Sequence, residues 1–277
     1  MKELRDKVAV VTGAASGIGR ELALACAREC MRVVLADIDR NGLPETAALV
    51  EQLGGRSVQV TCDVSKAEQV DQLAAQTYER FGAAHLLFNN AGVAVAGPLW
   101  TATVEDWQWS LGINLMGVAH GIRSFVPRML AQKTDGHVVN TASVAGLVSV
   151  YGNGVYCATK HAVVTLSECL LHELRREKAA ISVSVLCPAF VPTKIFDSNR
   201  NRPAELAASN PLAAPYEAIG RKAVQSGKLS AADVAQITLD GVKADRFYIV
   251  THPKILRDVE TRMRDILEQR QPTDTLP

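Results

Sequence analysis

"KVAVVTGAASGIGRELALACAREC" (residues 7–30) changes its period halfway along. Residues 7–13 are a short apolar, β-branched run ending in glycine, which predicts a buried strand. From residue 16 to 30 the apolar side chains recur at helical spacing, with arginine and glutamate on the outer face. Between strand and helix stand Gly13, Gly17 and Gly19, with Ser16 and Ile18 among them. Glycine adopts positive φ and, lacking a Cβ, lets backbone come close to a ligand. The N–H groups at a helix N-terminus then face an anion such as a pyrophosphate. Three glycines alone often only make a loop. A strand before them and a helix after them form the context that a dinucleotide-binding turn requires. Gly13, Ser16, Gly17, Ile18 and Gly19 are therefore candidate cofactor-binding residues.

The rest of the chain repeats the alternation. Strands are predicted over 32–37, 57–64, 85–92, 136–143, 181–188 and 246–250. Helices are predicted over 41–53, 66–82, 104–129, 154–178, 230–243 and 254–269. Residues 190–228 are expected to be irregular, because Pro192, Pro203, Pro211 and Pro215 break any long element. Strands apolar on both faces, alternating with helices, mean a parallel sheet covered on both sides. The expected architecture is α/β: one doubly wound Rossmann domain over 1–277, with a seven-stranded parallel sheet in the order 3-2-1-4-5-6-7. Residues 190–228 would form a substrate lid, and 251–277 an extra C-terminal helical extension. Ligands of such folds lie outside the carboxyl ends of the strands, where Gly13, Asp37, Asp63, Asn90, Ser143 and Pro188 all fall.

The 277 residues suffice for one large core, and 48% apolar with 21% charged residues is ordinary for a globular protein. A net charge of +1 provides no field to gather nucleic acid or an anionic membrane. No uncharged apolar stretch is long enough to span a bilayer, and MKELRDK at the start is too polar for a signal peptide. Six cysteines show neither a CxxC pair nor zinc spacing, so no metal is expected and the compartment reads as reduced and cytoplasmic. Cys26 and Cys30, four apart in a helical pattern, are expected to face the core together.

Asp37 ends the second strand, 18 residues after Gly19. A carboxylate there accepts the hydroxyls of an adenosine ribose and repels a 2′-phosphate. No arginine or lysine lies inside the glycine turn to offset that repulsion, so NAD is expected and NADP less so; the nearby Arg40 works against this reading.

In TGAASGIG (12–19), CDV (62–64), NNAG (89–92), Asn114 of GINLMG, Ser143, YCATK (156–160) and PAFVPT (188–193), the chain resembles the classical short-chain dehydrogenase/reductases. Order and spacing agree over about residues 7–193. The resemblance implies that Asp63 and Val64 border the adenine and that Asn90, Ala91 and Gly92 flank the middle of the cofactor. It implies that Pro188, Val191 and Thr193 meet the nicotinamide, and that Asn114, Ser143, Tyr156 and Lys160 form a catalytic tetrad. Two features depart from the family. Ala189 stands where glycine is usual, a small change. A charged segment, THPKILRDVETRMRDILEQR, replaces the glycine-rich end that often builds a tetramer interface, which leaves both a homodimer and a homotetramer open.

Tyr156 and Lys160 are four apart in a helical segment, so they share a face about 6 Å apart along the axis. An ammonium beside a phenol favours the phenolate and is expected to lower the pKa of Tyr156 toward a useful value for acid–base work. Lys160 has further donors for the cofactor's ribose hydroxyls. Ser143 would hold the substrate oxygen beside the phenol, and Asn114 would order a water that passes the proton toward Lys160, as in the family. Tyr151 has valine four residues on, not lysine, and precedes the helix; it is expected only as a wall of the substrate pocket, with Phe190.

The reaction expected is NAD(P)-dependent interconversion of a secondary alcohol and a ketone, with Tyr156 as general acid/base and Ser143, Tyr151, Tyr156 and Phe190 touching the substrate. An NADPH-dependent 3-oxoacyl reductase and a non-catalytic dinucleotide-binding scaffold are the alternatives. His161 and His172 are read as surface or packing residues, and Cys157 as buried and inert. Trp100, Trp107 and Trp109 are expected to pack a core or a subunit interface.

Overall fold

The computed structural model describes residues 1–208 and 210–274. Its sheet has seven strands, all pairing parallel, in the order β3-β2-β1-β4-β5-β6-β7. They are β1 Val8–Thr12, β2 Arg32–Asp37, β3 Arg56–Thr61, β4 Leu86–Asn89, β5 Gly136–Thr141, β6 Ile181–Cys187 and β7 Tyr248–Val250. Among the described residues the helices are α1 Gly17–Arg28, α2 Gly42–Gln52, α3 Ala67–Phe81, α4 Val104–Ser110, α5 Gly117–Gln132, α6 Gly154–Arg176, α7 Ala214–Gln225, α8 Ala231–Lys243 and α9 Leu256–Leu267.

Every residue of β1 is buried, because successive side chains serve opposite layers. Ala9 and Val11 join the core formed with α1, α2 and α8. Val8 and Val10 join the core formed with α3, α5 and α6. That two-sided burial is why the strand reads as a continuous apolar run. β1 pairs with β2 on one side and β4 on the other, so the order of the sheet reverses at its carboxyl end. A crevice opens at such a reversal.

Three expectations are corrected. The helix predicted over 104–129 is interrupted: a π turn over Leu111–Met116 separates α4 from α5. One extra residue per turn leaves the apolar pattern nearly intact, so periodicity alone does not reveal it. The segment 190–228 is not irregular throughout, since α7 fills Ala214–Gln225 with Pro215 in its first turn. Proline breaks a helix only in the interior; in the first turn its missing N–H had no partner to lose. Cys26 and Cys30 do not share a face: Cys26 is fully buried, whereas Cys30 is exposed at φ +59°, past the end of α1. Of the tryptophans, Trp109 lies in the core and Trp107 packs against it, but Trp100 is 84% exposed. No helix of the described chain is long and apolar enough to cross a membrane.

Candidate active site

The glycine turn sits at the crevice beside β4. Gly13 and Gly17 have φ of +70° and +57°. Gly19 is constrained by approach instead: a Cβ there would lie 2.0 Å from the Gly13 carbonyl oxygen and 2.6 Å from Asn90 Nδ2. Asn90 Nδ2 donates to the Thr12 carbonyl at 3.0 Å, while Thr12 Oγ1 accepts the N–H groups of Asn90 and Ala91 at 2.9 and 3.1 Å. These bonds stitch the ends of β1 and β4 together and hold the turn open. Ser16 precedes α1 in extended backbone and its side chain caps nothing, so the first-turn N–H groups of α1 keep their capacity to bind an anion.

Asp37 closes the crevice at the end of β2. Its two carboxylate oxygens accept the N–H groups of Ala15 and Asp39, each at 2.9 Å. Burial pushes its pKa up, and those backbone donors hold it back down. Each oxygen retains lone pairs for further donors. The cations nearby do not compete: Arg20 is committed to Ala15 O, Thr46 Oγ1 and Glu45, and Arg40 is exposed and does not line the cavity.

The catalytic candidates meet around the carboxyl end of β5. Ser143 Oγ donates to the Pro188 carbonyl at 3.3 Å and accepts the Ala145 N–H at 3.1 Å, and it lines the same cavity as Tyr156. Lys160 is 3% exposed, lies one helical turn beyond Tyr156, and donates to the Thr141 carbonyl at 2.8 Å. Burial pulls its pKa down to about 8. Tyr156 moves opposite to the expectation: burial pushes its pKa up to about 12, against the lowering pull of Ser143. The reason is geometric. The Lys160 ammonium lies 5.6 Å from the Tyr156 ring centroid and is turned to the Thr141 carbonyl, so within the polypeptide desolvation outweighs it.

Asn114 lies in the π turn and is fully buried. Its Oδ1 accepts the Val93 N–H at 2.8 Å, and its Nδ2 reaches Val93 O, Ser110 Oγ and Thr159 Oγ1 at 3.0, 3.2 and 3.2 Å. The side chain expected to order a water is thus committed to protein groups. It clamps the segment after β4 against α6, with Gly92 packed between Asn114 and Lys160.

A cavity of about 520 Å³ runs from the glycine turn past these groups to the 190–228 segment. Every residue expected to bind cofactor lines it, as do Ser143 and Phe190; Asn114 and Tyr151 do not. Tyr151 is 65% exposed, and its hydroxyl meets that of Tyr216 at 2.9 Å. At the far end the walls are Val93, Trp109, Phe196, Leu206 and Val224, which the sequence did not mark as substrate-facing. A buried ion pair holds this end: Arg202 Nη1 lies 2.8 Å from Asp106 Oδ1, with side chains 9% and 7% exposed. The Arg202 guanidinium stacks 4.7 Å from the Trp109 ring, and its Nε donates to Leu206 O at 2.6 Å. Asp106 also closes a capping box with Thr103 at the start of α4, and its ion-pair partner lies 96 residues away.

The family model described as short chain dehydrogenase matches residues 7–204. A short chain dehydrogenase/reductase from Burkholderia phymatum, whose crystal structure is in complex with NAD, is 48% identical with a TM-score of 0.98, covering 100% of each chain. The CLA biosynthesis dehydrogenase/reductase of Lactiplantibacillus plantarum is 34% identical over 98% of this chain and 97% of its own length. The C alpha-dehydrogenase of Sphingobium sp. strain SYK-6 is 31% identical over 100% of this chain and 90% of its own.

Proposed function

Because this chain belongs to the short chain dehydrogenase family of oxidoreductases, we propose that it interconverts a secondary alcohol and a ketone, with NAD favoured and Tyr156 as general acid and base. The observation that carries this reading is one cavity holding both the glycine turn and the Ser143–Tyr156–Lys160 group. The donor set fits a dinucleotide. Positive-φ glycines bring uncapped α1 N–H groups to the cavity for a pyrophosphate, and Asp37 keeps lone pairs for ribose hydroxyls. Asp37, with Ile38 beside it, offers a 2′-phosphate no cation, which supports NAD over NADP. Asp63 and Val64 would border the adenine, and Pro188, Val191 and Thr193 the nicotinamide.

When bound, the oxidised nicotinamide supplies the hydride acceptor and a positive charge that lowers the pKa of Tyr156. Tyr156 takes the proton from the substrate hydroxyl in oxidation and returns it to the ketone oxygen in reduction. Ser143 lines the cavity with Tyr156, and its hydroxyl, released from the Pro188 carbonyl, would orient the substrate oxygen toward the phenol. Lys160, whose ammonium lies 5.6 Å from the Tyr156 ring centroid, favours the phenolate and has donors for the cofactor's ribose hydroxyls. Phe190, Trp109, Phe196, Leu206 and Val224 suit a hydrocarbon or aromatic part of the alcohol, and Lys194, Arg200 and Glu205 of the same lining add charge to a lid formed by 190–228. Exposed Leu256, Met263 and Ile266 on α9 support a homodimer or homotetramer, and six free cysteines support a cytoplasmic location. One sheet carrying every strand supports a single domain over 1–277.

Initial rates with NAD and NADP across a panel of secondary alcohols test the proposal. The expected result is NAD-dependent oxidation with kcat/KM about tenfold or more above that with NADP, from the repulsion at Asp37. NAD binding without turnover of any alcohol points to a scaffold. Faster NADPH reduction of a 3-oxoacyl thioester points to the carrier-linked reductase.

A further inference from the structure

We propose that His252 is a positioning residue for Ser143, acting through the peptide bond between Pro188 and Ala189. The inference rests on the reading of Ser143 as a substrate-orienting group. That peptide is held at both ends. Its carbonyl, on Pro188, accepts the Val144 N–H at 2.9 Å and the Ser143 hydroxyl at 3.3 Å. Its N–H, on Ala189, donates to His252 Nδ1 at 3.3 Å. Thr251 Oγ1 lies 2.8 Å from the same nitrogen. An imidazole nitrogen that accepts an amide N–H carries no proton, so the ring proton is on Nε2 and the threonine hydroxyl donates.

The placement follows from the sheet. β7 pairs with β6 in the register Cys187↔Val250, which brings residues 188–189 and 251–252 side by side just beyond the strand ends. His252 lies in the THPK segment, where the chain departs from its family's usual glycine-rich end. His252 thus grips from the β7 side the same peptide plane that Ser143 grips from the β5 side. Without an acceptor at Nδ1, the peptide keeps only its carbonyl partners, the Val144 N–H and the Ser143 hydroxyl, and can tilt about them. Tilting shifts the Pro188 carbonyl against Ser143 and loosens the direction in which the serine hydroxyl is held in the cavity. A peptide bond is rigid, so loss of one end's partner is felt at the other.

Two variants separate this role from simple packing. His252→Phe keeps a ring without an acceptor; His252→Asn places an oxygen near the position of Nδ1. Three quantities are read on the full-length protein: amide hydrogen exchange of the segment 188–193, affinity for NAD by calorimetry, and kcat and KM with the fastest alcohol of the panel. In His252→Phe, exchange of the segment and loss of kcat should each reach about tenfold, the size of one lost hydrogen bond, and the loss of NAD affinity should be smaller than the loss of kcat. His252→Asn should recover exchange and kcat to within about threefold of wild type. Wild-type kcat and exchange in His252→Phe overturn the inference, as does an equal loss of kcat in both variants with unchanged exchange. Full turnover by Tyr156→Phe overturns the catalytic reading itself, and this inference with it.

Discussion

The glycine-turn end of the cavity takes its residues from strand ends that follow one another in the sheet, whereas the far end collects Trp109 from α4, Leu206 from a short turn and Val224 from α7. At the first end side chains bond to nearby main chain, as Asp37 accepts the Ala15 N–H and Asn90 donates to the Thr12 carbonyl. At the second, one buried pair, Arg202 with Asp106, ties a segment to a helix 96 residues earlier. The difference separates two ways of building a wall. The glycine-turn end, which the proposed function gives to the cofactor, is held by bonds to the main chain that only certain residue types permit. The far end, which it gives to the substrate, is held by side chains brought from distant segments, where a fold can change its site without changing its frame.

Four variants sharpen that contrast, in descending order of effect. Arg202→Met should cost about 3–5 kcal/mol of stability, because it leaves Asp106 buried without its partner. Denaturant unfolding measures the loss, and NAD affinity should hardly change. Gly19→Ala should weaken NAD binding about 100-fold, since the new Cβ would press on the Gly13 carbonyl from 2.0 Å and shift the turn. Calorimetry with NAD reads that loss; unchanged affinity would mean the turn is not the binding element. Asp37→Ser should narrow the preference for NAD over NADP about tenfold, by removing the charge that repels a 2′-phosphate, as the ratio of the two kcat/KM values will report. Tyr151→Phe should alter kcat and KM less than about twofold, because its hydroxyl meets only Tyr216 outside the cavity. A large effect there would mean that the tyrosine enters the substrate site.

The same contrast explains what the sequence made legible. β1, the glycine turn and α1 could be read because period, turn chemistry and burial agree along a single short stretch. Asp37, Asn90 and Ser143 followed because each closes a strand whose end the pattern marks. The π turn at Asn114 escaped because it shifts the apolar face by only one residue. α7 is not legible because a proline in a first turn looks, in sequence, like a proline that breaks a helix. Arg202 escaped because no local spacing reports a partner in α4. The direction of the Tyr156 shift escaped for a different reason: helical spacing fixes how near Lys160 lies, but not that its ammonium turns to Thr141 or how deeply the phenol is desolvated.

The central claim is that Tyr156 moves the proton while the carbinol hydrogen goes to the nicotinamide. A secondary alcohol deuterated at the carbinol carbon, incubated with NAD and either wild type or Tyr156→Phe, tests it directly by mass spectrometry of the reduced cofactor. The account predicts deuterium in the NADH formed by wild type, and a rate about 10²–10⁴-fold lower for Tyr156→Phe at unchanged NAD affinity. NADH free of deuterium, or a Tyr156→Phe variant that turns over at the wild-type rate, would contradict it.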